Sequence, residues 1–212
     1  MICVNELYRT IQGESTYVGF PCVFVRLAGC NLRCSYCDTR YAYDKGFGMT
    51  VQQITERVLS YKTPLAAVTG GEPLYQAEAS ALLDELSRRL PSVLLETNGA
   101  FLLPLDRNYT VVMDVKSPGS GEEGAFEWRN LKRLQTTDEL KLVLTDRRDF
   151  EWAVDFIRTQ GLEEAPNPIL FSPAAGRLAP PLLAKWILDT DINVRLQLQV
   201  HRMLWPDQDR GV

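Results

Sequence analysis

The chain has 212 residues, 45% hydrophobic and 24% charged, with a formal net charge of -4, which fits one globular domain, 1–212, of the usual size. Those proportions exclude a disordered, collagen-like or coiled-coil chain, and the acidic balance argues against a nucleic-acid partner, which calls for a basic surplus. No apolar run approaches the roughly 20 residues of a membrane span, and Asn5 and Glu6 stand where a signal peptide needs an apolar stretch, so a cytoplasmic protein without a membrane partner is expected.

In chain order, short apolar runs alternate with helical patterns. After a first strand, runs at Val23–Leu27, Leu65–Thr69, Val93–Thr97, Thr110–Val115, Leu140–Leu144, Ile169–Ser172 and Ile192–Gln199 read as strands. They are rich in Val, Ile and Leu without strict alternation, as in a sheet buried on both faces. Thr50-Val51-Gln52-Gln53 forms a capping box ahead of Ile54, Val58 and Tyr61 on one helix face. Ala77–Leu90 repeats leucines until Pro91 stops it; Asp149–Gln160 ends at Gly161, where a C-cap is expected; Pro180 and Pro181 open a last helix through Ile187. Strand–helix–strand order implies right-handed crossovers and a mostly parallel sheet. About six such units make an open, partial (β/α)6-type barrel, and function is expected at the carboxyl ends of its strands. The polar clusters Gly29-Cys30, Thr69–Glu72, Glu96–Gly99, Asp114–Ser117 and Ser172-Pro173 occupy those ends, and the seventh run ends near His201.

The five cysteines are an odd number in an intracellular-looking chain, which favours metal or redox chemistry over disulfides. Cys30, Cys34 and Cys37 sit in one loop (residues 30–37) after a strand, three and two residues apart. Thiolates at that spacing suit zinc or an iron–sulfur cluster. A closed zinc site needs a fourth ligand, and the single histidine, His201, is distant in sequence; three ligands on a cluster leave one metal position open. Cys3 and Cys22 lie in apolar strand context and read as small buried hydrophobes.

The C-x3-C-x2-C spacing and the following Gly70-Gly71-Glu72-Pro73 resemble the radical S-adenosylmethionine (SAM) superfamily. The stretch Asn5–Glu14 with Gln12-Gly13-Glu14, the Phe24-Val25-Arg26-Leu27 strand, Cys37-Asp38-Thr39 and Gln197–His201 resemble the 7-carboxy-7-deazaguanine synthase family over nearly the whole chain. The chain departs from that family at Ser15, where glycine is common, and in the tail Trp205–Val212, to which no substrate contact is assigned.

The resemblance implies a radical SAM lyase of queuosine and deazapurine biosynthesis. It would convert 6-carboxy-5,6,7,8-tetrahydropterin to 7-carboxy-7-deazaguanine, with loss of ammonia, through a 5′-deoxyadenosyl radical. Its cofactors would be a 4Fe-4S cluster on Cys30, Cys34 and Cys37, SAM, and Mg2+ on Thr39. Ile11, Gln12, Gly13, Glu14, Arg26, Thr69 and His201 would meet the substrate. Arg26 would take its carboxylate, unless an internal pair with Glu14 occupies the guanidinium. Tyr36, Cys37, Asp38, Gly70, Gly71, Glu72, Thr97, Asn98, Lys116, Ser117, Ser172 and Pro173 would meet SAM. The family also implies a homodimer and an electron donor such as flavodoxin or ferredoxin. A glycyl-radical-activating enzyme and a zinc-stabilised binding module are the alternative readings.

Overall fold

The computed structural model describes residues 1–212. Strand β1 (Ile2–Ile11) turns back at 12–20 into β2 (Pro21–Leu27), and the two pair antiparallel from Ile11–Pro21 to Val4–Leu27, with an irregularity between Val4 and Glu6. Strand β3 (Phe47–Met49) adds to the other edge of β1. Then follow α1 (Val51–Ser60), β4 (Leu65–Gly70), α2 (Ala79–Arg89), β5 (Ser92–Thr97), β6 (Thr110–Asp114), β7 (Glu139–Leu144), α3 (Arg147–Thr159), β8 (Ile169–Pro173), α4 (Pro180–Leu188), β9 (Arg195–Leu196) and α5 (Val200–Leu204). The sheet runs β3-β1-β2-β4-β5-β6-β7-β8-β9. Every pairing from β2 to β9 is parallel, and the edges β3 and β9 do not meet. This is the expected open α/β partial barrel.

Two apolar faces form because side chains alternate along each strand. Val23, Val25 and Leu27 of β2 and Ala66 and Val68 of β4 join Ile54, Leu82, Leu86, Phe150 and Leu183 of the helices in the larger core. On the opposite face, Cys22, Phe24, Leu65, Ala67 and Leu94 form a smaller cluster with Tyr8 and Tyr17 packed against it. Farther along the same strands that face turns polar, at Arg26, Thr69 and Glu96. An uninterrupted apolar run in the sequence thus conceals two faces with different tasks.

The helix ends follow local chemistry. Thr50 and Gln53 exchange the reciprocal bonds of the capping box at 3.1 and 2.9 Å. Gly161 takes φ +64°, with Gly161 N–H donating to Arg158 O and Leu162 N–H to Ile157 O, a Schellman end. Helix α3 begins at Arg147, before the expected Asp149, because Asp146 caps it by accepting from Asp149 N–H at 3.0 Å.

Three expectations need correction. The seventh run, Ile192–Gln199, contributes only the two residues of β9, because its alternating Asn193, Arg195 and Gln197 do not suit a strand buried on both faces. Only four crossovers carry α-helices: 98–109 runs as a loop, and 3-10 turns at Pro118–Ser120, Glu123–Ala125 and Trp128–Arg133 replace a helix before β7. Pro118, Gly119, Gly121 and Gly124 interrupt helical propensity there. His201 lies in α5 and not at a strand end. No helix is long and apolar enough to cross a membrane.

Candidate active site

The strand ends open onto one cavity. It is lined by Cys30, Cys34, Tyr36, Cys37, Asp38, Thr39, Gly70, Gly71, Thr97, Asn98, Lys116, Ser172 and Pro173, and by Ile11, Gln12, Glu14, Arg26, Thr69 and His201. Three expected residues do not line it. Glu72 is fully buried and spends its carboxylate on Leu74 N–H, Asn98 N–H and the Thr97 hydroxyl. Ser117, also fully buried, donates to Val143 O at 2.9 Å. Gly13 has its Cα face closed by His201: a Cβ there would stand 2.1 Å from Nδ1.

At one end, the cluster loop leaves β2 with its cysteines free and partly exposed. Burial pushes the Cys30 and Cys34 thiols up, so metal binding there releases protons. Ser35, inside the loop, donates its N–H to Ser120 O and its hydroxyl to Gly119 O. Gly71 packs so closely on the loop that a Cβ would lie 2.0 Å from Gly29 O, and Gly70 needs φ +147°. Asn98 bridges to Asn31 at 2.9 Å. On the cavity wall, Tyr36 Oη is buried without a hydrogen-bond partner, which leaves it free for an occupant, while Asp114 Oδ1 has the Lys141 ammonium 3.5 Å away. No three His, Cys, Asp or Glu side chains converge on a single-ion position. Three thiols on one wall beside a glycine cradle and an unpartnered tyrosine hydroxyl fit a multi-iron cluster with SAM, and not a zinc knot.

At the other end, Arg26 does have an internal partner, and it is Glu6, not Glu14. The β1–β2 register sets Glu6 opposite Arg26; Nε donates to Glu6 Oε1 at 2.8 Å and Nη2 to Tyr8 Oη at 3.1 Å. Burial works against the guanidinium charge, but the facing Tyr8, Tyr41 and Glu6 outweigh it and push its pKa up. Its Nη1 makes no protein hydrogen bond. Gln12 donates to Glu96 and accepts from Glu14 N–H, and Thr69 donates to Glu96 at 2.8 Å. Glu14 accepts from Lys141 at 2.8 Å and from Gln199 at 2.9 Å. Burial pushes the Glu14 carboxyl up; Lys141 above all reverses this and holds it at about 2. Ser15 takes φ +64°, the left-handed region where glycine is at ease, and its Oγ accepts from Tyr17 N–H at 3.1 Å.

Tyr8, Lys141, Gln199 and Val212 also line the cavity without an expected role, and Glu96 and Asp114, expected only as members of the strand-end clusters, join them. Lys141 carried the same signal as Arg26, a cation among apolar strand neighbours. Val212 comes from the unassigned tail: Tyr8 Oη donates to its main-chain oxygen at 3.1 Å, a contact that no motif announces.

The radical SAM superfamily model matches residues 25–110. The chain is 41% identical to the 7-carboxy-7-deazaguanine synthase of Chlorobaculum tepidum over 99% of this chain and 96% of that one. It is 39% identical to that of Koribacter versatilis over 99% of each. The crystal structure of QueE from Escherichia coli superposes with a TM-score of 0.69 at 25% identity, covering 93% of both chains. With the thiol loop, the glycine cradle and the Arg26–Glu14 end on one cavity, the chain belongs to the 7-carboxy-7-deazaguanine synthase family of the radical SAM superfamily.

Proposed function

We propose that this chain converts 6-carboxy-5,6,7,8-tetrahydropterin to 7-carboxy-7-deazaguanine with release of ammonia, residues 1–212 acting as one domain. The observation that carries this reading is a single cavity with three free thiols and a glycine cradle at one end and Arg26, Gln12, Glu14 and Thr69 at the other. When bound, the 4Fe-4S cluster and SAM supply one-electron cleavage of SAM and hence the hydrogen-abstracting radical. Cys30, Cys34 and Cys37 would hold the cluster through their three thiolates. Gly70 and Gly71 would let the backbone approach SAM, and Glu72 ties the segment that follows them to Thr97 and Asn98. Thr97, Asn98 and Lys116 would meet its ribose and methionine parts, and Ser172, Pro173 and the Tyr36–Asp38 backbone its adenine. Ser117 acts through the backbone it anchors. The Thr39 hydroxyl would offer Mg2+ one oxygen ligand.

Arg26 presents its unused Nη1 to the substrate carboxylate while Glu6 and Tyr8 fix the opposite edge. Glu14 and Gln12 face the N–H edge of the pterin, Thr69 hydrogen-bonds beside them, and Ile11 and Gly13 carry the turn. His201 closes that side and excludes water, its charge disfavoured chiefly by burial. A protein-sized substrate suits this walled cavity poorly, which disfavours a glycyl-radical-activating enzyme. We further place the enzyme in the cytoplasm as a homodimer, served by a flavodoxin- or ferredoxin-like donor.

The test is anaerobic reconstitution with iron and sulfide, followed by SAM, reductant and the pterin. The deazaguanine acid is expected by mass, and Cys34→Ala is expected to lose the brown cluster chromophore. Formation of 5′-deoxyadenosine with the pterin untouched would refute the substrate and leave the superfamily chemistry standing.

A further inference from the structure

One wall of the cavity carries charges of alternating sign. Lys141 Nζ on β7 donates to Glu14 Oε2 at 2.8 Å and stands 3.5 Å from Asp114 Oδ1 on β6. Lys116 Nζ donates to the other Asp114 oxygen at 2.9 Å. The β6–β7 register sets Asp114 beside Lys141, whereas Glu14 arrives from the turn after β1. Lys141 therefore touches a carboxylate at the substrate end and one at the cofactor end, and its side chain is only 12% exposed.

We propose that Lys141 is a positioning residue of the reaction: it fixes the Glu14 carboxylate, charged and oriented, for the N–H edge of the substrate, and through Asp114 keeps that grip in register with Lys116. This rests on the assignment of Glu14 to the substrate made above. A protonated carboxyl offers a donor where a ring edge of N–H groups needs acceptors. The groups facing Glu14 are Lys141, Gln199 and His201, and those facing Lys141 are Asp114, Glu14 and Glu96. Burial works against the Lys141 charge, but Asp114 first and then Glu14 and Glu96 outweigh it, so the ammonium persists. Without it, Glu14 keeps only an amide and a histidine that burial disfavours as a cation. Its carboxyl then rises, and the grip weakens as pH falls.

The experiment compares loaded wild type, Lys141→Met and Lys141→Arg, measuring KM for the pterin, KM for SAM and iron per chain between about pH 5 and 8. Lys141→Met is expected to raise the pterin KM about tenfold or more, the loss of one charge-assisted hydrogen bond, with the rise steepening toward low pH. Iron content and the SAM KM stay within about twofold, and Lys141→Arg recovers most of the loss. In a Glu14→Gln background, Lys141→Met is expected to add little. That pair also serves if Lys141→Met alone folds poorly. An unchanged pterin KM, an equal rise at every pH, or a full additional cost in the Glu14→Gln background overturns the proposal. If wild type leaves the pterin untouched, it is the functional reading that fails. The positioning claim is then decided by 13C-carboxyl NMR of the unloaded chain, in which the Glu14 midpoint rises in Lys141→Met or else the claim is wrong.

Discussion

Glu72 accepts from Leu74 N–H at 2.9 Å and Thr97 Oγ1 at 2.8 Å on Oε1, and from Asn98 N–H at 2.7 Å on Oε2. Three donors favour the charged form, yet burial prevails and raises the carboxyl from its ordinary 4.5 to about 7. The folded chain therefore keeps this proton to higher pH than the unfolded one. The stability Glu72 contributes is full below about pH 4.5 and is lost as pH rises toward about 7. Glu72→Gln replaces one acceptor by an amide that must face a backbone N–H. At about pH 5 the unloaded variant is expected to unfold about 1–3 kcal/mol more easily in denaturant, the gap narrowing toward pH 8 because only wild type loses stability over that range. A constant gap across pH would show that the carboxyl does not titrate there.

At the scale of elements, the best-specified parts lie away from the cavity. Helix α1 begins with both bonds of the Thr50–Gln53 capping box in place. Thr50→Ala is expected to cost about 1 kcal/mol in thermal unfolding, with pterin KM and kcat unchanged, since α1 packs on the helix-covered face. The cluster loop is bound differently. Its hold on the 117–121 segment runs through Ser35 to Gly119 O and Ser120 O, and that segment is tied to α3 by Asp149 accepting from Gly119 N–H at 2.7 Å. The Asp149 side chain thus serves a neighbouring loop, while Asp146 caps α3. Cap and Schellman signals are legible because donor and acceptor lie within a few residues of each other. The ties from Ser35 are not, because they join segments more than 80 residues apart.

At the scale of the whole molecule, the two chain ends meet over the site. Val200 N–H donates to Gly13 O at 3.0 Å, and Gln199 reaches both Glu14 and Asp38. Gly13→Ala would push a Cβ to 2.1 Å from His201 Nδ1 and 2.9 Å from its backbone nitrogen, so α5 must lift from the 12–14 turn. A severalfold rise in pterin KM with unchanged iron content is the expected result, of the size that misplacing one binding element produces. An unchanged KM would show that α5 does not shape the substrate end.

Cys30, Cys34 and Cys37, Gly70–Gly71, Arg26 and the run of parallel strands could be read directly from amino-acid order, because one loop or one strand contains each pattern. The alternation that puts Val25 among helices and Arg26 on the cavity was hidden in apolar runs, since both faces of the sheet are buried. The partners of the charges were beyond local patterning. Arg26 goes to Glu6 through antiparallel register, and Glu14 goes to Lys141 across 127 residues. Likewise, the tail reaches the cavity through a single hydrogen bond to Tyr8. Spacing along a chain fixes which groups share a loop, but only the curving of the open sheet sets the ends of β1, β6 and β7 within bonding distance, and burial there makes each unpaired charge costly enough to choose its partner.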